Sequence, residues 1–171
     1  MEPTDAVVAS PPSLQLPAGQ DYLVRIVRTA KNPVEGEEDY RLVIDELPSA
    51  PRRTGTVAVV VRHVIPMFFH QSDLGPADVE WKLLRGRQGY VLQGKNRGET
   101  YLRVATVSVA DKAGTSVSFG KGLLGYILPG STMQWPAAVS TRKFTPGKTV
   151  TVRGQSQIGA LDASATVKVQ R

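Results

Sequence analysis

Hydrophobic and polar residues alternate along much of this chain with the two-residue period of β-strands, and no segment keeps a 3.6-residue period. Gly, Pro, Asn and Asp recur between the alternating segments, as turn formers do in all-β proteins. The pattern predicts a β-sandwich with short strands at residues 6–9, 22–29, 40–45, 56–69, 79–84, 90–93, 100–109, 116–119, 123–135, 148–154 and 163–170, the strand at 123–135 being broken at Pro129-Gly130.

The segment of residues 56–69, TVAVVVRHVIPMFF, is unusual because both faces of the predicted strand are apolar. Side chains alternate across a strand, so one face would carry Val57, Val59, Val61, Ile65 and Met67, and the other Ala58, Val60, Val64 and Phe68. Pro66 lacks the amide that a central strand needs, which favours a sheet edge. Two interpretations stay open: a strand covered on both faces by its own protein, or an edge strand whose spare face another chain completes.

Length and composition suit one or two domains, because a typical domain has about 100 residues and this chain has 171. The polar sequence HQSDLGPAD, which follows Phe69, predicts a boundary that divides residues 1–72 from residues 73–171. The chain contains no cysteine, which excludes disulfides, thiolate nucleophiles and cysteine-bound metals.

The net charge of +6 is unevenly distributed. Residues 1–75 hold seven Lys and Arg against ten Asp and Glu, whereas residues 76–171 hold fourteen against five. The basic residues are scattered over predicted turns and strands, without a basic helix or a nucleic-acid-binding motif, so nucleic-acid binding is disfavoured. The first residues, MEPTDAVVASPPSL, contain neither a basic signal-peptide region nor an apolar run long enough to span a membrane.

Catalysis and cofactor binding are not predicted. The sequence lacks the nucleophile-elbow, phosphate-loop, dinucleotide-binding and zinc-protease motifs. His63 and His70 are the only histidines, and even with Asp73 they lack the third spaced ligand that a metal site would require. We therefore expect no enzyme activity, no metal and no cofactor.

The segments YRLVIDELP, VRHVIPMFF and LLGYILPGSTMQW, with SPPSLQLPAGQDYLVRIVR before them, resemble the periplasmic pilus-assembly chaperones of the PapD-like family, in the family's order. The likeness is strongest to the branch that serves alternative or archaic pili and spore-coat-U-like subunits. It implies two immunoglobulin-like β-sandwich domains that bind pilus subunits in the periplasm by strand donation and deliver them to an outer-membrane usher. No nucleic acid and no membrane insertion are implied.

The resemblance also implies site residues. The subunit-binding donors would be Val57, Val59, Val61 and Ile65. Classical members hold the subunit's C-terminal carboxylate with two basic residues; the position of one carries Pro66 here, and Arg41 and Arg62 are the candidates to replace it. Each has a structural alternative: Arg62 as a solvated edge residue, Arg41 as the partner of Asp45 or Glu46. Glu46 is also a candidate interdomain contact.

Two further expectations follow from the comparison with this family. Its first domain normally begins with about three strands and a secretion signal before the point that matches residue 1, so the first domain is expected to be incomplete at its N-terminus. The alternative function is a pilin-like or adhesive structural β-sandwich, which should carry an alternating N-terminal extension; the segment MEPTDAVVAS offers only a weak one.

Overall fold

The computed structural model describes residues 2–48, 55, 57, 59–86, 89–137 and 144–169. All helical or strand structure in these ranges is β-strand, which confirms the all-β prediction. The strands are β1 (Val7–Ser10), β2 (Arg25–Arg28), β3 (Glu37–Asp45), β4 (Arg62–His70), β5 (Val79–Gly86), β6 (Gly89–Asn96), β7 (Leu102–Ala110), β8 (Ser116–Ile127), β9 (Thr132–Pro136), β10 (Thr149–Ser156) and β11 (Gly159–Val169).

The chain forms two compact units, residues 1–35 and residues 36–171. In the first unit, β1 and β2 pair antiparallel, from Val7 opposite Arg28 to Ser10 opposite Arg25. The Thr29 amide extends this pairing by donating to the Ala6 carbonyl at 2.8 Å. The alternating N-terminal residues are therefore part of a two-stranded sheet.

In the second unit, β3 and β4 form a two-stranded antiparallel ribbon, from Glu37 opposite His70 to Asp45 opposite Arg62. We call this pair of strands the ribbon. β3 begins at Glu37, before the strand predicted from residue 40, because its acidic residues pair with the aromatic end of β4: Glu38 lies opposite Phe69 and Asp39 opposite Phe68. Strand pairing here overrides the low strand propensity of acidic residues.

The other strands of the second unit form one sheet in the order β8-β7-β10-β11-β5-β6-β9. All neighbours are antiparallel except β11 and β5, which are parallel. The sheet folds over a single core, because its strands all contribute buried side chains to one apolar cluster, with Leu83, Leu92 and Val152 fully inaccessible. Trp81 and Trp135 lie in this core with ring centroids 6.0 Å apart.

A bulge in β7 changes which residues point inward. Leu102 and Val104 are buried before it, and Val107 and Val109 after it, so the inward positions shift from even to odd numbers. Thr106 provides the extra residue with a left-handed φ of 48°, and its Oγ1 accepts a hydrogen bond from the Gly122 amide of β8 at 3.1 Å. The bulge therefore keeps both halves of β7 apolar on the core side.

A buried asparagine joins the loops at one end of this sheet. Asn96 Oδ1 accepts from the amides of Asp78 at 3.2 Å and Gly98 at 2.9 Å, and its Nδ2 donates to the carbonyls of Thr100 and Ile127 at 2.8 and 3.0 Å. The side chain is fully inaccessible, yet all of its polar atoms are paired. Asn96 thus fixes the entry into β5 against the end of β8.

Candidate functional site

The apolar residues that precede and begin β4 are largely uncovered. We call Val57 and Val59–Val61 the valine segment; Thr56 and Ala58 of the predicted strand lie outside the described residues. The exposed fractions of the predicted donors are 91% for Val57, 86% for Val59, 48% for Val61 and 43% for Ile65. In the second unit as described, a row of valine and isoleucine side chains, interrupted only by His63, is therefore accessible to another chain.

β4 pairs only with β3 in the described part of the chain, as an edge strand does, so the edge predicted from Pro66 is observed. The Glu46 amide donates to the Val61 carbonyl at 2.9 Å, which makes these two residues a hydrogen-bonded pair. Because such pairs alternate along an antiparallel ladder, odd-numbered residues of β4 direct their backbone groups to β3 and even-numbered residues direct theirs to the outer edge. Pro66 lies at an outward position, where its missing amide costs the ribbon nothing.

The strand ladder begins at Arg62 rather than at Thr56, so the predicted strand of residues 56–69 is shorter in the structure. The end of the ladder is held by side chains. Arg62 binds Asp45 through two hydrogen bonds, Nε to Oδ1 at 2.5 Å and Nη2 to Oδ2 at 2.8 Å. This arrangement lowers the pKa of Asp45 through the hydrogen bond from Arg62, and it raises the pKa of Arg62 through the same hydrogen bond.

Glu46, predicted as a possible interdomain contact, lies beside the valine segment. Its Oε2 accepts a hydrogen bond from the Val61 amide at 3.1 Å. Both its main chain and its side chain therefore contact the same residue of the segment that leads into β4.

The two arginines considered as carboxylate anchors lie on one face of the ribbon but not together. Arg41 is directly opposite Pro66, and Arg62 is four residues further along β4, which corresponds to about 13 Å. Arg41 Nη1 lies 3.5 Å from Asp39 Oδ2, and its guanidinium carbon is 6.0 Å from the centre of the Phe68 ring. The pairing of Arg41 with Asp45 or Glu46 that the sequence suggested is therefore not the one found.

The far end of β4 packs against the seven-stranded sheet through aromatic rings. The Phe68 ring stacks on Tyr101 with centroids 3.9 Å apart and lies 5.5 Å from Tyr126. Burial raises the pKa of Tyr101, and the nearby Glu37 raises it further. The sequence marked Phe68 only as an apolar position; its partners are more than 30 residues away along the chain and left no local signal.

Glu37 is a second residue at this junction that the sequence did not single out. Both of its carboxylate oxygens are inaccessible to solvent, and neither accepts a hydrogen bond of ordinary geometry. Burial raises the pKa of Glu37, although the nearby Tyr101 backbone and His70 partly offset the effect. A carboxylate in this position opposes the packing of the ribbon when it is ionised.

The two histidines lie seven residues apart on β4. His63 is exposed on β4, and the His70 Nδ1 lies 2.8 Å from the Gln71 carbonyl. Among the described residues, no group of three or more His, Cys, Asp or Glu side chains is arranged to hold a metal ion. Nor does that part of the chain contain a helix with the length and hydropathy needed to span a bilayer.

Residues 1–74 match the family described as "Pili and flagellar-assembly chaperone, PapD N-terminal domain". A curated relative, the uncharacterized fimbrial chaperone YhcA of Escherichia coli strain K12, is 27% identical over 82 residues, which are 48% of this chain and 37% of that protein. The resemblance to pilus-assembly chaperones is confirmed. The chain thus matches little more than a third of this curated relative's length.

Several solved chaperone structures are similar to this chain in fold. A chain of the CsuC–CsuE chaperone–tip adhesion subunit pre-assembly complex, from archaic chaperone-usher Csu pili of Acinetobacter baumannii, is 22% identical with a TM-score of 0.58, covering 98% of this chain and 76% of that one. The CupB2 chaperone of Pseudomonas aeruginosa is 21% identical with a TM-score of 0.62, covering 95% and 75%. The E. coli chaperone DraB is 22% identical with a TM-score of 0.59, covering 92% and 74%. These likenesses confirm the immunoglobulin-like fold class. The match of residues 1–74 to the chaperone family points to a non-enzymatic role.

Proposed function

We propose that this chain is a periplasmic pilus-assembly chaperone that binds a pilus subunit by strand donation and delivers it to an outer-membrane usher. In this proposal residues 1–72 belong to the chaperone domain that donates the strand, and residues 73–171 form a second immunoglobulin-like domain. The observation that carries the proposal is the exposed valine row beside an edge strand, in a chain whose first 74 residues match the chaperone family.

The donors in the proposal are Val57, Val59, Val61 and Ile65. All four are at odd-numbered positions and would therefore lie on one face of an extended strand. Burying each of these side chains in an incomplete subunit would contribute about 1.5 kcal/mol or more to the free energy of binding. The subunit's own strand would add main-chain hydrogen bonds, which set register and direction. The four side chains give about 6 kcal/mol together. Micromolar or tighter capture requires about 8 kcal/mol after the cost of association, so it depends on the main-chain hydrogen bonds and further contacts as well.

The backbone of β4 limits where the subunit can pair. Outward-facing amides are available at Arg62 and Val64, but Pro66 has none. A subunit strand that adds to this edge therefore gains its hydrogen bonds mainly from the valine segment and the first residues of β4. This region coincides with the exposed apolar row.

Arg41 is our candidate for the anchor of the subunit's C-terminal carboxylate. The family's anchoring position within the donor strand carries Pro66 here, and the register places Arg41 directly across the ribbon from it. A guanidinium at this place can bind a carboxylate through two hydrogen bonds. Arg62 is the weaker candidate, since Asp45 already binds it through two hydrogen bonds.

The alternative of a pilin-like structural subunit has less support. Such a subunit should offer an alternating N-terminal extension that can insert into its neighbour. Here the alternating residues Val7–Ser10 are already paired with Arg25–Arg28. The periplasmic location and the usher as receiver rest on the resemblance to the chaperones compared above.

The test is co-expression in the periplasm with a pilus subunit whose own N-terminal extension has been deleted, followed by purification of the complex. We expect a one-to-one complex with the unaltered chain. The double variant Val59→Glu with Val61→Glu should lose it, because a carboxylate cannot enter the subunit's apolar groove unpaired. Arg41→Ala should weaken the complex about tenfold or more, and Arg62→Ala less.

Val169→Glu is the matched control, because Val169 is also an exposed valine, 58% accessible, but lies at the end of β11 opposite Arg85, in the seven-stranded sheet and not in the valine segment or the ribbon. This variant should bind the subunit like the unaltered chain. A complex that survives the double glutamate substitution would show that the valine segment is not the binding strand.

A further inference from the structure

We propose that Glu46 is a positioning residue that holds the valine segment in the register needed for strand donation. The inference rests on the proposed function. Its starting point is the residue pair Glu46 and Val61, which lies just beyond the end of the ribbon. The Glu46 amide donates to the Val61 carbonyl at 2.9 Å, and the Glu46 Oε2 accepts from the Val61 amide at 3.1 Å.

In an ordinary antiparallel ladder, the residues of such a pair exchange two main-chain hydrogen bonds. Here the return donation from the Val61 amide goes to the side chain of Glu46. The carboxylate takes the place of the main-chain carbonyl, so the backbone of Glu46 can turn away while Val61 stays held. The ion pair of Asp45 with Arg62 secures the preceding pair of the ladder.

The sequence after Glu46 explains why a side chain is needed. Hydrogen-bonded pairs recur every second residue, so the next one would join Pro48 to Val59. Pro48 has no amide to donate to the Val59 carbonyl, so this pair could form at most one of its two main-chain hydrogen bonds. Glu46, which directly follows β3, is therefore the last residue on that side that can both donate to and accept from the segment before β4.

The consequence is a segment that is held at one end and exposed along the rest. Val61 is fixed by Glu46, whereas Val57 and Val59 are not assigned to a strand and are 91% and 86% accessible. A one-residue slip would turn the whole valine row to the opposite face. Holding Val61 in place thus decides that Val57, Val59 and Val61 face a subunit together.

The test begins with the full chain without a subunit, by amide hydrogen exchange followed by NMR. Glu46→Ala should increase the exchange rate of the Val61 amide about tenfold, since one hydrogen bond is lost. Glu46→Gln should restore slow exchange, because the amide oxygen of glutamine can accept the same bond. Asp162→Ala, which removes an exposed carboxylate of β11, is the matched control and should leave Val61 unchanged.

Buried amides of the seven-stranded sheet, such as those of Leu83 and Val152, report whether each variant is still folded and should exchange as in the unaltered chain. Unchanged exchange at Val61 in Glu46→Ala, or no rescue by Glu46→Gln, would overturn the inference. The second readout is capture of the extension-deleted subunit, which Glu46→Ala should weaken about tenfold and Glu46→Gln should not.

The two readouts separate this inference from the proposed function. Faster exchange at Val61 together with unaltered subunit capture would show that Glu46 binds the segment without positioning it for the subunit. If the double glutamate variant at Val59 and Val61 still captures the subunit, strand donation itself fails, whatever the exchange of Val61 shows.

Discussion

The seven-stranded sheet and the ribbon are built from similar side chains but bury them very differently. Leu83 and Leu92 of the sheet are completely inaccessible, whereas Val64 and Ile65 of the ribbon are 47% and 43% accessible. Both regions contain alternating apolar residues in antiparallel pairs. The difference is that the sheet folds over onto its own inner face, while the two strands of the ribbon cannot cover either face by themselves.

This comparison shows that valine-rich alternation specifies a strand without specifying what covers it. In the sheet, the apolar side chains are buried against one another, and this burial stabilises the folded state. In the ribbon, the same kind of area stays accessible to another chain, which is the property that the proposed strand donation requires.

The largest expected effect is a contrast in stability between these regions. Leu83→Ala should lower the free energy of unfolding by about 3 kcal/mol, because it leaves a cavity in a fully buried site. Val64→Ala should change it by less than about 0.5 kcal/mol, since this side chain is half exposed in the ribbon. Urea unfolding followed by the fluorescence of the buried Trp81 and Trp135 measures both. Equal losses would show that the ribbon's apolar residues are covered after all.

An intermediate effect is expected where the ribbon contacts the sheet. Phe68→Ala should destabilise the sheet by about 1 kcal/mol, because Tyr101 and Tyr126 lose a packed ring. Phe69→Ala is the matched control, since the Phe69 ring contacts Tyr40 within the ribbon at 5.7 Å. The same urea titration should give a shift of less than about 0.5 kcal/mol for Phe69→Ala. Two identical shifts would argue against a specific role of Phe68 at the junction.

The smallest effect concerns the buried carboxylate of Glu37 and depends on pH. Burial raises the pKa of Glu37, so the folded chain binds this proton more tightly than the unfolded chain, and the free energy of unfolding falls as the pH rises through the raised pKa. Glu37→Gln should therefore stabilise the chain at pH 7 by about 1 kcal/mol or less, and this gain should vanish below about pH 4.

Unfolding midpoints measured from pH 4 to pH 8 test this sign, with Glu35→Gln as the control at an exposed loop carboxylate. A gain from Glu37→Gln that stays constant over this range would mean that the carboxylate's charge is not the cause. His70 and Asp39 also face Glu37 and stay unchanged in both variants.

Much of the fold could be predicted from local pattern. The predicted break at Pro129-Gly130 separates β8 from β9, and the predicted strand at residues 100–109 corresponds to β7. The pattern missed that Ser116–Phe119 and Leu123–Ile127 form one strand, because the glycines between them resemble a turn. In the structure these glycines lie in bulges of β8, which pairing with β7 keeps extended.

The candidate site was only partly predictable. The apolar row of Val57, Val59, Val61 and Ile65 is a property of alternation, and the sequence alone defines it. The partners of the charged residues were not predictable: Asp45 binds Arg62 across 17 positions of the chain, and Glu46 binds the amide of Val61 across 15. Such contacts depend on strand register, which a local pattern does not contain.

By itself, the sequence determined the strand alternation, the turns and two missing amides, at Pro48 and Pro66, because these are properties of single residues and their neighbours. Only the tertiary structure decided that the seven-stranded sheet buries its apolar face while the valine segment does not. Burial is set by which strands pack together, and it brings Asn96 to Ile127 and Phe68 to Tyr101, residues that are 31 and 33 positions apart in the chain.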